Sequence, residues 1–383
     1  MPFSCLAKEL DQRNRQGLLR RRHVLETAQG ARIQIGGRAY LGFCSNDYLG
    51  LAAHPRLVEA VRQGVASLGV GAGASHLVSG HFITHHQAEE ALAGFVGKPR
   101  ALLFSSGYMA NQGVITALLG RGDAVFADKL NHASLNEAAL LSRARLLRYP
   151  HLDLDSLARL LASSRARRKL VVSDAVFSMD GDIAFIPELL ALCERYDAWL
   201  LLDDAHGIGV LGEEGRGTLS HFGVDSPRLI YMATLGKAVG VFGAFVAGDA
   251  RVVEYLAQSA RSYIYTTALP PSLAGAVTVS LHILQEEGWR RERLRELIER
   301  LRAGVQQTRW RLLPSVTPIQ LLWAGSNETA LALAGGLREK GLWIPAIRPP
   351  TVPRGQARLR ITLSAAHRPA DVDCLVDALR ALQ

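Results

Sequence analysis

Six short apolar runs punctuate the first two thirds of the chain: Ala101–Phe104, Ala124–Ala127, Leu170–Ser173, Trp199–Leu202, Leu229–Met232 and Gly243–Ala247. Each is apolar throughout instead of alternating, and each closes on small or polar residues. Strands of that kind are covered on both faces. Between several of them the apolar positions recur with helical spacing, as in Ala110–Leu119 and Pro187–Tyr196. The alternation predicts an α/β fold, with a mostly parallel central sheet and helices on both faces. Ligands in such sheets bind beyond the carboxyl ends of the strands. Ser106–Gly107, Ser178, Asp203–His206 and Thr234–Lys237 all fall at or just past those ends, so separate segments are expected to converge on one crevice.

The pattern changes near Glu286. Leu294, Leu297, Ile298, Leu301 and Val305 make a helical stripe with Arg and Glu between them. Candidate strands follow at Ile319–Trp323, Trp343–Ile347 and Arg358–Thr362, with helices at Glu328–Glu339 and Pro369–Leu382. This reads as a smaller α+β C-terminal domain. The start of the chain reads as an N-terminal arm, with an initial helix and an extended segment around Arg32–Phe43. The expected division is therefore an arm at 1–45, a large domain at 46–285 and a small domain at 286–383. A length of 383 residues is more than one ordinary core accommodates.

Composition narrows the class. Hydrophobic residues make up 48% and charged ones 21%, as in a globular chain and unlike a disordered one. No apolar run approaches the roughly twenty residues that span a bilayer. Residues Met1–Gly17 show no apolar signal-peptide stretch, so no membrane association is expected. Cys5, Cys44, Cys193 and Cys374 lie far apart without a C-x-x-C pair, which suits reduced thiols in the cytoplasm better than disulfides. The net charge is +9, with basic residues prominent in Arg13–Arg22 and Arg165–Lys169. That excess suits a solvated surface, or an anionic partner such as coenzyme A or an acidic carrier. The basic residues are dispersed and no nucleic-acid motif accompanies them, so nucleic acid is not an expected partner.

The chemistry sits at the strand ends. Lys237 follows an apolar run and lies between Gly236 and Ala238, with room beside it for a bulky ring. A lysine in a low-dielectric crevice loses its proton and attacks carbonyls. The Gly-Lys pair is not a P-loop, because Tyr231 stands at the first glycine position and Ala238 where Ser or Thr belongs. Asp203 can ion-pair with a pyridine nitrogen and His206 can bond a phenolic oxygen, while Asp204, its strand neighbour, points the other way. Together these residues suggest a pyridoxal 5'-phosphate (PLP) enzyme. Ser105–Tyr108 opens a helix whose free N–H groups make a phosphate seat, and Ser178 and Thr234 can add hydroxyls. His132, after the strand ending near Ala127, can stack on the ring. Two motifs are set aside. Gly69–Gly73 follows a helical pattern instead of a strand and reads as a turn. His81 and His85 have zinc-like spacing, but no glutamate follows His81, and no metal is expected.

Ser45–Gly50, the segment around Ser178, Asp203–Gly207, Thr234–Lys237, Arg348–Pro353 and Arg358–Thr362 together resemble the α-oxoamine synthase family of fold-type-I PLP enzymes, nearly end to end. The proline-rich segment at Thr351 and Arg20–Arg22 resemble the biotin-pathway branch. The resemblance implies that Lys237 carries the cofactor as a Schiff base, Asp203 holds its pyridine nitrogen, His206 its phenolic oxygen, and His132 stacks on it. It implies that Gly107, Tyr108, Ser178 and Thr234 bind the phosphate side, with Thr266 or Thr267 supplied by the second subunit of a homodimer. It assigns Asn46 and Arg360 to the amino-acid carboxylate, and Arg20 and Thr351 to the acyl substrate. The implied reaction joins L-alanine to pimeloyl-CoA or pimeloyl-acyl carrier protein with loss of carbon dioxide and thiol. Related readings are a synthase using glycine with acetyl- or succinyl-CoA, an aminotransferase, or a silent PLP-binding protein.

Overall fold

The computed structural model describes residues 3–20, 22–349 and 351–382. Arg21 of the basic triplet and Pro350 of the proline-rich segment lie outside the described residues. The chain divides into two compact units: unit 1 holds residues 1–48, 179–181 and 293–383, and unit 2 holds 49–178 and 182–292. Unit 1 begins with a helix, Ser4–Arg15, and a hairpin of β1 (Arg32–Ile35) and β2 (Arg38–Gly42). The two-residue hairpin loop is Gly36–Gly37, with φ of 57° and 72°. A type I′ turn needs positive φ at both positions, and glycine adopts it without strain.

Unit 2 is built on a seven-stranded sheet of β3 (Arg100–Phe104), β4 (Ala124–Asp128), β5 (Arg145–Tyr149), β6 (Lys169–Asp174), β7 (Trp199–Asp203), β8 (Leu229–Thr234) and β9 (Ala244–Gly248). Their order is β3-β9-β8-β7-β6-β4-β5. The run from β8 to β5 is parallel, and β9 pairs antiparallel with both β8 and β3. All six apolar runs are strands. The seventh, β5, carries Arg145 and Arg148 at exposed positions and among the described residues pairs only with β4, so an edge strand escapes a search for continuous apolar runs. Helices Gly107–Leu118 and Ala133–Ser142 bring Val114, Ile115, Leu135 and Ala139 into one core with Leu102, Val125, Val172, Leu201, Ile230 and Val246 of six strands. Helices Pro55–Leu68 and Pro271–Glu286 approach closely at Gly64, where a Cβ would stand 2.8 Å from the Cα of Ser272.

The C-terminal part of unit 1 adds β10 (Arg311–Leu312), β11 (Ile319–Gly325), β12 (Leu342–Trp343), β13 (Ala346–Ile347) and β14 (Ala357–Thr362). They form a four-stranded sheet, β10-β11-β14-β13, and a three-stranded one, β1-β2-β12, in which β12 runs parallel to β2. The expected strand Trp343–Ile347 is corrected here. It is two short strands in different sheets, parted at Pro345, whose ring leaves no N–H for a ladder. Helices Asn327–Glu339 and Pro369–Ala381 belong to this unit too.

Candidate active site

A cavity of about 200 Å³ opens at the carboxyl ends of the unit 2 strands. Gly107, Tyr108, His132, Ser178, Asp203, His206, Thr234 and Lys237 all line it. The fold explains the convergence. Asp203 and Thr234 end β7 and β8, Lys237 follows three residues later, Gly107 starts the helix after β3, and His132 caps the helix after β4.

Asp203 is buried, and both of its oxygens accept hydrogen bonds. Oδ2 accepts from Asn111 Nδ2 at 2.8 Å, and Oδ1 from the Ala205 N–H at 3.0 Å. Asn111 donates its second amide hydrogen to Ser134 Oγ at 2.9 Å. Ser134 in turn faces His132 Nδ1, with its Oγ at 2.7 Å and its N–H at 3.3 Å. Nδ1 therefore acts as the acceptor, and the ring proton resides on Nε2. Burial lowers the His132 pKa; Asp203 raises it and Lys237 lowers it. A neutral His132 with an Nε2–H donor results.

Lys237 Nζ lies 2.7 Å from His206 Nε2, so one nitrogen donates and the other accepts. Asp204 takes no part in the cavity. Its Oδ2 accepts from Tyr231 Oη and from the Thr218 N–H, each at 2.7 Å, and burial raises its pKa to about 7. Thr234 donates its hydroxyl to the Gly243 carbonyl at 3.0 Å. The Tyr108 hydroxyl donates to Glu137, which leaves backbone N–H groups as what the start of this helix offers a ligand.

The four remaining candidates lie in unit 1 and form two pairs. Arg360 Nη1 donates to Asn46 Oδ1 at 3.1 Å, and the Tyr48 hydroxyl donates to the same oxygen at 3.2 Å. Burial pushes the Tyr48 hydroxyl up to about 12, and Arg360 opposes that rise. Arg20 Nη2 donates to Thr351 Oγ1 at 3.2 Å, on the wall of a second cavity of about 720 Å³ that Arg338, Trp343 and Arg348 also line. His76, His81 and His85 cluster within ligating range of one another. Both His85 nitrogens are committed, however: Nδ1 accepts the Phe82 N–H at 2.9 Å and Nε2 lies 2.8 Å from the Leu269 carbonyl. That leaves His85 no lone pair for a metal.

Asn111, Ser134 and Asp174 are polar residues of this site that were not singled out from the sequence. Asn111 had a readable signal, because it is a fully buried amide on an otherwise apolar helix face. Ser134 and Asp174 had none beyond their place near a strand or helix end.

The sequence profile of the class I and II aminotransferases matches residues 38–379. The chain is 63% identical over 380 residues to the 8-amino-7-oxononanoate synthase of Nitrosomonas europaea, covering 98% of each. The chain belongs to the class I and II aminotransferase family, on the branch of the 8-amino-7-oxononanoate synthases. The synthase of Methylobacillus flagellatus is 60% identical over 381 residues, covering 100% of this chain and 96% of the relative. Among solved structures, a serine palmitoyltransferase from S. paucimobilis with a bound PLP–myriocin aldimine has a TM-score of 0.93 at 30% identity, over 99% of this chain and 96% of that one. The 8-amino-7-oxononanoate synthase from Francisella tularensis has a TM-score of 0.78 at 31% identity, over 90% of this chain and 97% of that one. The family thus has the fold-type-I architecture of PLP transferases, and this chain shares it.

Proposed function

We propose that this chain is a PLP-dependent C-acyltransferase that condenses L-alanine with a pimeloyl thioester, giving 8-amino-7-oxononanoate, carbon dioxide and free thiol for biotin synthesis. The observation that carries the reading is the cavity that gathers Lys237, His206, His132 and Asp203, in a chain 63% identical to such a synthase. The donor set fits PLP. An amine stands ready for the aldehyde, a buried carboxylate for the pyridine nitrogen, an imidazole for the ring, and a helix start for the phosphate. When bound there, PLP supplies an electron sink for the bond broken at the α-carbon of the amino acid.

The chain's own groups do the rest. Lys237 Nζ takes the proton from the α-carbon of alanine and returns one after carbon dioxide leaves. His206, 2.7 Å away, orients that amine. His132 presents Nε2–H to the thioester oxygen as negative charge develops on it. In unit 1, Arg360 with Asn46 suits the alanine carboxylate, since a guanidinium grips a carboxylate at two points. Holding that carboxylate would orient the alanine and so select which α-carbon bond breaks. Arg20 with Thr351 suits the acyl substrate, whose far end is also a carboxylate. We assign the acyl carrier to coenzyme A or an acyl carrier protein, both anionic, in keeping with the net charge of +9. A homodimer fits the resemblance, and a cytoplasmic location fits the four free cysteines. No helix among the described residues is long and apolar enough to cross a membrane.

The test pairs L-alanine, glycine and serine with pimeloyl, acetyl and succinyl thioesters and identifies the products. Alanine with the pimeloyl thioester should win by at least about tenfold, the scale at which a pocket tells chain lengths apart. Preference for glycine with a short thioester would make it a different synthase, and amino transfer to pyruvate without thioester an aminotransferase. Borohydride reduction should fix the cofactor on the peptide bearing Lys237. Lys237→Ala should abolish that label and cut condensation by roughly 10²–10⁴-fold, the range for losing a general base.

A further inference from the structure

Asp174 ends β6 in register with Asp203 at the end of β7. Paired positions on neighbouring strands point their side chains to the same face, and both acids line the cavity at the sheet's carboxyl edge. Both are buried, with exposures of 4% and 6%. Their surroundings differ. Asp203 has N–H donors on both oxygens, from Asn111 and Ala205. Asp174 Oδ2 accepts the His132 N–H at 3.1 Å, but Asp174 Oδ1 is buried without a partner.

Two buried acids at paired positions lining one cavity oppose each other's ionisation. Asp203 has two donors that stabilise a carboxylate. Asp174 has one, and an oxygen that nothing among the described residues satisfies. A buried acceptor left bare is costly, whereas a buried O–H aimed into a ligand cavity gains its partner when the ligand arrives. We infer that Asp174 works as a neutral carboxylic acid whose Oδ1–H donates a hydrogen bond to an acceptor atom of the ligand in this cavity. The inference rests on the cavity being the reaction site proposed above. Electrostatics agree in direction. Burial is the largest effect raising the Asp174 pKa well above the carboxylate range, the Asp203 charge adds to it, and Asp128 adds a little more. The His132 N–H and Lys237 pull the other way and do not prevail. His206, on the loop after β7, also faces this cavity and is bonded to Lys237.

The role is one of binding and positioning. Oδ2 fixes the backbone of His132, and therefore its ring, while Oδ1 meets the ligand. Asparagine reproduces the shape, the neutrality and one donor of a protonated aspartate, and alanine reproduces none of them. Three measurements separate the possibilities: PLP affinity by spectral titration, kcat/KM with alanine and pimeloyl-CoA, and the carbonyl stretch of a protonated carboxyl in infrared difference spectra of the cofactor-free protein. Asp174→Asn is expected to keep PLP affinity and kcat/KM within about threefold, and Asp174→Ala to lose about tenfold or more in each, the scale of one hydrogen bond. One component of the protonated-carboxyl band of the native protein should vanish in Asp174→Asn, leaving those of Asp204 and Glu89, which burial raises to about 7. The inference fails if Asp174→Asn loses as much as Asp174→Ala, since an anion would then be required, or if the band at neutral pH is the same in Asp174→Asn as in the native protein, or if Asp174→Ala leaves PLP affinity unchanged. Should the native protein show no condensation at all, the proposed function falls, while the infrared band and PLP affinity still decide the state of Asp174.

Discussion

A single amide organises the cavity. Asn111 has two Nδ2 hydrogens, one on Asp203 and one on Ser134, and Ser134 passes the constraint to His132. The acid and the imidazole are therefore held by one side chain that touches neither reacting centre in the proposed chemistry. Asn111→Leu keeps the volume and removes both bonds. It should lower kcat/KM by roughly 10–100-fold, the scale of hydrogen bonds to charged groups. PLP affinity should fall with it, because Asp203 loses its Oδ2 donor. A variant that binds PLP and turns over normally would show that Asp203 and His132 keep their places without it. Much of this site was legible in the sequence because strand ends are. Lys237, Asp203 and His206 each follow an apolar run, and the fold makes such ends meet. The links among them were not legible, because Asn111 and Ser134 are 23 positions apart and meet only when two helices pack. A residue that bonds another residue leaves no periodicity behind.

Among the elements, the strand pattern was read well wherever burial was complete. It failed at β5, an edge strand with arginines facing out, and at β12 and β13, which proline splits between two sheets. One loop is held by charge as well as by packing, for the His151 ring also meets Phe177 edge-on at 4.4 Å. His151 Nδ1 lies 3.0 Å from Asp128 Oδ1, and its Nε2 lies 2.7 Å from Asp182 Oδ2. The Asp182 carbonyl accepts the Phe177 N–H at 3.0 Å, one residue before Ser178. Burial alone would lower the His151 pKa, but the bonds to Asp128 and Asp182 outweigh it and raise the value to about 10. The folded value exceeds the unfolded one of roughly 6.5. The stabilisation is therefore complete below roughly pH 6.5 and is lost as pH rises toward about 10. Urea unfolding across this window should show the native protein losing its advantage over His151→Asn as pH rises. At pH 6 the substitution should cost about 2 kcal/mol, since Asp128 is left buried without its cation. A stability difference that stays flat from pH 6 to 10 would mean the ring is not charged in the folded protein.

For the molecule as a whole, a charge of +9 draws anions from solution. The steering acts on whichever carrier holds the acyl group. Raising ionic strength from roughly 0.01 to 0.15 M shortens the screening length from about 30 to about 8 Å. Over that range kcat/KM for pimeloyl-CoA should fall severalfold, and for pimeloyl-N-acetylcysteamine, which lacks the phosphates, it should fall less. Equal losses for the two would assign the excess charge to the surface at large. The three-stranded sheet of unit 1 has a different kind of consequence. Leu41 and Gly42 of β2 pair with Leu342 and Trp343 of β12. A ribosome adding 5–20 residues each second makes the second partner roughly 15–60 s after the first. Throughout that interval one edge of the newborn hairpin is open to any other extended chain nearby. A transcript cut short before codon 342 would leave it open for good, so truncated chains of this protein are expected to be found in aggregates and with proteases, even where the central sheet has already closed.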